Sequence, residues 1–223
     1  MASTFFGLHI GSSALSSFQV ATNTTANNIA NVKTTGYTRQ EATLQAKDAI
    51  NVTARYGSVG TGVTVTSIKQ QRDLYYDNKY WENNSCYGRY EQKLYYMEQI
   101  QNYFKDNGSS VKGFSSVFSQ MFSDLDTLRS KPSDKTVRNQ FISSAQSLCT
   151  YFNQMSDNLS KLQDDCNEEI RNNVDKINSI SEKISLLNKE INQIETGTGV
   201  EAGSLRDERA NLIDSLSKIV NVS

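Results

Sequence analysis

The sequence predicts a mainly α fold, an elongated antiparallel helical bundle or coiled coil with one long rod helix and a small β excursion near residues 41–70. Three observations carry this. Apolar residues recur at spacings of three or four from Val137 to Ile194 with no Gly or Pro between them, the period of a helix that buries one stripe. The 223 residues include one proline against twelve glycines, and only 37% are hydrophobic, a composition that favours long helices over a sandwich or barrel. The third observation is Val63-Thr64-Val65-Thr66, which alternates as a strand does.

The elements follow in order. Met1 to Val32 contains no Asp, Glu, Lys or Arg, and Leu15, Phe18, Ile29 and Val32 fall on a seven-residue a/d pattern completed by Thr22 and Thr25. A helix of small uncharged residues suits a place where it touches copies of itself; the alternative is a disordered terminus in the isolated chain. In residues 41–70, Thr43, Leu44, Ile50, Val52, Val63, Val65 and Ile68 stand among the turn residues Gly57, Gly60 and Gly62, the pattern of a hairpin joining two helices.

Tyr76, Tyr80, Tyr87, Tyr90, Leu94, Met97 and Phe104 then occupy a/d positions, and the expectation is that they pack against a neighbouring helix with hydroxyls at the wet edge. After the breaker Asn107-Gly108-Ser109-Ser110, residues Phe114 to Leu128 form an amphipathic helix that stops near Ser130-Lys131-Pro132-Ser133. The rod helix, about residues 133–195, would be roughly 90 Å long given the helical rise per residue. It stops at Thr196-Gly197-Thr198-Gly199, and Leu205, Leu212, Leu216 and Ile219 mark a return helix over about 203–220. The acidic run Asp164, Asp165, Glu168 and Glu169 reads as a solvated face. The expected organisation is residues 1–40 as an assembly helix, 41–72 as a β-rich connector and 73–223 as the helical bundle.

Chemistry is poorly provided for. The one histidine is His9, so no HExxH motif exists. There is no GxSxG elbow or GxxxxGK[ST] loop, and Gly60-Thr61-Gly62 is followed by Val65 where a dinucleotide fingerprint requires Gly. No catalytic, cofactor-binding or metal-binding residue is expected, and the chain is not expected to be an enzyme. Cys86, Cys149 and Cys166 contain no CxxC pair and read as buried or half-buried small side chains. The 23 basic and 24 acidic residues leave a net charge of −1, which supplies no field to hold nucleic acid. No stretch approaches the about 20 apolar residues that cross a bilayer, and the N-terminus lacks the basic n-region of a cleaved signal.

Residues Ala26-Asn27-Asn28-Ile29-Ala30-Asn31-Val32-Lys33-Thr34-Thr35-Gly36-Tyr37-Thr38-Arg39-Gln40 closely resemble the N-terminal signature of flagellar rod, hook and hook-associated proteins. Physically, asparagines can bond backbone and neighbouring subunits without placing charge in a crowded core, and Gly36 permits a positive φ where the helix ends. Gly60 to Val63 running through Ile68 to Arg72-Asp73, Leu125 to Asn139 with Arg138, and Leu205 to Arg209 with Leu212 narrow the resemblance to the hook-associated protein 1 family. Hook and rod proteins share the first signature but are not expected to carry the long rod, and a generic coiled-coil binding adaptor is the remaining alternative.

The resemblance implies a structural subunit at the junction of hook and filament, exported without cleavage through the flagellar type III apparatus to an extracellular position. It implies partners as well: copies of the chain, the hook protein, a second junction protein, the export apparatus and a chaperone, with no nucleic acid and no membrane. The assembly interface expected from it is Leu15, Phe18, Asn27, Asn28, Ile29, Asn31, Gly36, Tyr37 and Arg39. Members of the family pair the N-terminal helix with a C-terminal one; this chain ends at Ser223 without such a segment or an outer domain, and is expected to be a truncated piece of a longer protein. Its cysteines are also unusual for flagellar axial proteins.

Overall fold

The computed structural model describes residues 5–53, 57–106 and 113–222. The first four residues, Ser223 and the expected breaker Asn107-Gly108-Ser109-Ser110 lie outside the described residues. In order come α1 (Phe6–Ala30), β1 (Gln40–Ala46), β2 (Ile50–Thr53), β3 (Gly57–Val59), β4 (Val63–Gln70), α2 (Leu74–Tyr103), α3 (Phe114–Ser130), α4 (Lys135–Thr198) and α5 (Gly203–Ser217). The mainly α fold with a small β excursion is what the sequence predicts. Contacts divide the chain into two compact units, Met1–Ser85 with Ile177–Ser223, and Cys86–Lys176.

In the first unit the strands form nested antiparallel ribbons, β1 with β4 and β2 with β3. The longer ribbon pairs Gln40 with Gln70 at its base and shifts register between Thr43 and Leu44. Helix α1 lies on this ribbon, where Ser17 Oγ donates to the Val63 carbonyl at 3.1 Å. Gly62, at φ +107°, comes so close that a Cβ would meet Ser13 Oγ.

Helix α4 is a single 64-residue helix. It ends where Gly199 adopts φ +70° and donates its N–H back to the Glu195 carbonyl at 2.9 Å, the left-handed cap that glycine adopts without a Cβ clash. The return helix α5 docks there through a bidentate pair: Arg206 Nε and Nη2 reach the two Glu195 carboxylate oxygens at 2.6 and 2.8 Å. Ile180, Leu187, Ile191, Ala202 and Ala210 are the buried apolar residues at this end. The start of α2 joins them through Trp81 Nε1, which donates to Asp214 Oδ1 at 2.7 Å, and through Asn84 Nδ2, which donates to Ser217 Oγ at 2.8 Å.

In the second unit Asp106 accepts from the Ser116 N–H and hydroxyl at 2.9 and 2.7 Å, securing the first turn of α3. Asp134 does the same for α4 by accepting from the Thr136 N–H at 2.8 Å. Phe114 stacks on Phe118 at 5.2 Å and lies 5.9 Å from Phe152 of α4. Met155, Leu162 and Ser144 are buried on the α4 face that packs.

Four expectations need correction. The stripe from Tyr76 to Phe104 is exposed, Tyr76, Tyr80, Tyr90, Leu94 and Met97 included. The α2 face that packs is the adjacent one through Asp77, Trp81, Asn84, Gly88, Gln92 and Tyr96, because Trp81, Asn84, Gln92 and Tyr96 find hydrogen-bond partners on α4 and α5. On α4 the inward stripe runs through Tyr151, Met155, Asn158, Leu162, Cys166, Glu169 and Asn173, so Phe152, Ile170 and Val174 of the expected stripe face out. The acidic run is not uniformly solvated: Gln92 Nε2 and the Tyr96 hydroxyl both donate to Glu169, and that bond, then burial, pushes the Tyr96 hydroxyl above its usual range. Cys86 and Cys149 are exposed and only Cys166 is half-buried, since the first two stand off the packed stripes of their helices.

Candidate assembly surface

Helix α1 places small and polar residues inward, and Ser17 and Thr24 are its buried positions. Phe6, Ile10 and Val20 are half-buried, and its other large apolar residues point away. Leu15, Phe18 and Ile29 are 72%, 60% and 68% exposed, and Leu8 and Val32 are exposed with them. An uncharged helix with this much apolar surface in water is a candidate interaction face. Beside it a groove of about 570 Å³ runs between α1 and β1, lined by Ala21, Thr24, Ile29, Val32 and Ala42 among others.

The turn from α1 into β1 is held by side chains near in sequence. Asn28 Nδ2 donates to the Gln40 carbonyl at 2.8 Å, and the Gln40 N–H donates to Asn28 Oδ1 at 2.9 Å, so one side-chain amide mimics a neighbouring strand at the ribbon edge. The Tyr37 hydroxyl donates to Asn28 Oδ1 at 2.8 Å and accepts from Asn27 Nδ2 at 3.1 Å. Asn31 Nδ2 donates to both the carbonyl and the side-chain oxygen of Asn27. Gly36 stands at φ +76°, and Arg39 is exposed while its carbonyl accepts from the Gln71 N–H at 2.8 Å. The nine expected residues therefore fall into two sets: Leu15, Phe18, Ile29 and Arg39 face outward, and Asn27, Asn28, Asn31, Gly36 and Tyr37 build the turn.

Sequence reasoning missed a third set. Asp207 of α5 is buried and accepts from the Thr38 N–H at 3.3 Å and from Gln70 Nε2 at 2.8 Å. Glu201 accepts from the Gln70 N–H at 3.2 Å, and Gly36 packs directly against Asn211. Burial first and the Asp207 charge second raise the Tyr37 hydroxyl above its ordinary range. One signal was available: Asp207 and Asp214 share a three-four register with Ala210, on the side of α5 opposite the expected stripe of Leu205, Leu212, Leu216 and Ile219. Glu195 is held down to about 2 by the Arg206 guanidinium, with burial opposing and the Ala202 N–H assisting.

Among the described residues no group of three or more His, Cys, Asp and Glu side chains is arranged to hold a metal ion, and no helix is long and apolar enough to cross a membrane. The arrangement offers apolar area and backbone order.

Comparison with known proteins agrees with this layout. Residues 97–223 match the family described as "Flagellar hook-associated protein FlgK helical domain", and residues 8–38, which carry the outward face and the turn, match "Flagella basal body rod protein". The chain is similar to flagellar hook-associated protein 1 of Bacillus subtilis (strain 168), 34% identical over 227 residues, covering 100% of this chain and 44% of the relative. It is similar to the proteins of the same name in Salmonella typhimurium, 32% identical over 94% of this chain and 37% of the relative, and in Escherichia coli K12, 30% identical over 94% and 38%. The chain thus spans less than half the length of these relatives. With more than half of its residues inside one family match and nearly all of them aligned to these relatives, the chain belongs to the flagellar hook-associated protein FlgK family.

Proposed function

We propose that the chain is a structural subunit at the junction of hook and filament, and that it polymerises through the outward face of α1 together with its helical bundle. The observation that carries this reading is the uncharged apolar face of Leu15, Phe18 and Ile29 within the segment that matches the basal-body rod family. Burying such a face between subunits supplies the driving force for assembly, about 25 cal/mol for each Å² removed from water. In this reading residues 1–40 are the assembly segment, and Asn27, Asn28, Asn31, Gly36 and Tyr37 act by fixing how that segment leaves the ribbon. Its partners are further copies, the hook protein and a second junction protein, reached after export by the flagellar type III route with a chaperone, outside the cell and without signal cleavage. No catalysis is assigned to it.

The test is genetic. A strain lacking the gene should build hooks and carry no filaments, and chains bearing Leu15→Asp or Phe18→Asp should fold and be exported without restoring them. Filaments on the deletion strain's hooks would refute the reading. The exposed Tyr76, Tyr80, Tyr90, Leu94 and Met97 of α2 favour a second reading, a coiled-coil adaptor that captures a helix. For that reading the α2 substitutions, and not those of α1, would abolish function.

A further inference from the structure

We propose that α5 positions the signature turn, with Asp207 and Asn211 as the positioning residues. This rests on the reading of α1 as the assembly helix, since the turn sets how that helix is presented. Local bonds reach no further than the 12 residues between Asn28 and Gln40, and they leave the Thr38 N–H and the Gln70 side chain unsatisfied. Both are satisfied by a single carboxylate, Asp207, which lies 169 residues from Thr38 and 137 from Gln70 in sequence and is 8% exposed. Removing this acceptor leaves the Thr38 N–H and one hydrogen of the Gln70 amide without a partner in a part-buried site, which costs more than the bonds themselves contribute.

The second contact is steric. Gly36 sits at φ +76° with its α-carbon facing α5, where a Cβ would fall on the Asn211 amide. The tight turn and the close approach therefore coincide at one glycine, and only a docked α5 makes the second condition necessary. Three further bonds hold the N-terminus of α5 against the base of the ribbon and the end of α4. Gln70 Nε2 donates to the Gly203 carbonyl at 2.9 Å, the Gln70 N–H to Glu201 at 3.2 Å, and the Ala202 N–H to Glu195 at 3.1 Å. The turn thus reaches its final geometry only when α5 is in place, so the assembly helix is set by a helix remote from it in sequence.

Amide exchange on the purified full chain tests this, with filament counts on cells that carry the same variants as a separate readout. Asp207→Asn should speed exchange at the Thr38 N–H by about threefold or more, while the Leu187 amide on the core face of α4 keeps its wild-type rate. Gly36→Ala should do the same, and Asn211→Ala in that background should recover part of the lost protection, because it lifts the steric part of the penalty and leaves the backbone part. Thr38 exchange below that threshold in Asp207→Asn, or no relief from Asn211→Ala, overturns the proposal. Because exchange is read on the isolated protein, a failure of the junction reading in cells would leave this result standing or falling by itself.

Discussion

The last five turns or so of α4 and the length of α1 both carry an apolar stripe, yet they use it in opposite ways. On α4 the stripe is the inside: Ile180, Leu187 and Ile191 are buried, with Ile191 only 5% exposed. On α1 the stripe is the outside, and the inside is made of Ser17 and Thr24, whose hydroxyls are satisfied by the carbonyls of Val63 and Val20. Helix α2 repeats the α1 pattern, with tyrosines out and Trp81, Asn84 and Gly88 in. Hydrophobic periodicity therefore identifies a face that must be covered but not what covers it. A folded chain covers the face itself where it can; where it cannot, the face is left for another surface.

Substitutions that separate these two uses can break the comparison. The largest effect is expected at Ile191→Ala, where a cavity in the core of α4 should cost about 2–5 kcal/mol and lower the melting temperature by several degrees; a loss under about 1 kcal/mol would mean the inner stripe is not the core it looks to be. Glu195→Gln comes next and carries a pH signature. The folded pKa of Glu195 is depressed from 4.5 to about 2, so its contribution is fully present above pH 4.5 and is lost as pH falls towards 2. The pair is a quarter to a third exposed, and solvent screening reduces the contribution to about 1–2 kcal/mol. Acid titration of stability should show wild type losing this amount over that window and the variant losing less.

Asn28→Ala removes both halves of the strand-mimicking pair with Gln40. It should cost about 1–2 kcal/mol, seen as faster exchange at the Gln40 N–H with unchanged exchange on α4. The smallest effect sharpens the contrast most. Leu15→Ala should alter the chain's own stability by less than about 0.5 kcal/mol while weakening assembly, and a large loss of melting temperature would show that α1 buries this residue within its own chain.

Much of the fold was legible in the sequence for identifiable reasons. The unbroken three-four spacing after Val137, the Thr196 to Gly199 stop and the alternation at Val63 each reflect local backbone physics, and α4, its cap and β4 stand where those signals put them. The signature at Ala26 to Gln40 located the turn and pointed to the family. What was not legible was the choice between neighbouring stripes. The Tyr76 to Phe104 series is more apolar than Asp77, Trp81, Asn84, Gly88 and Gln92, and by transfer energy it should be the buried one. It is exposed because Asp214, Ser217 and Glu169 present partners to the polar series, and a polar group that keeps its hydrogen bond can be buried at little cost. Cys86 followed the same error, since its burial was inferred from residue type and not from the face on which it stands.

The sequence by itself determined what is local: where helices start and stop, where a glycine must take a positive φ, and that the segment from Met1 to Val32 is uncharged. Only the tertiary structure decided which stripe of each helix turned inward, and that Asp207 and Asn211 come to rest on a turn more than 160 residues away in sequence. The physical reason is that periodicity and capping act over a few residues, whereas the satisfaction of a buried donor depends on whichever acceptor the rest of the fold brings within 3 Å or so.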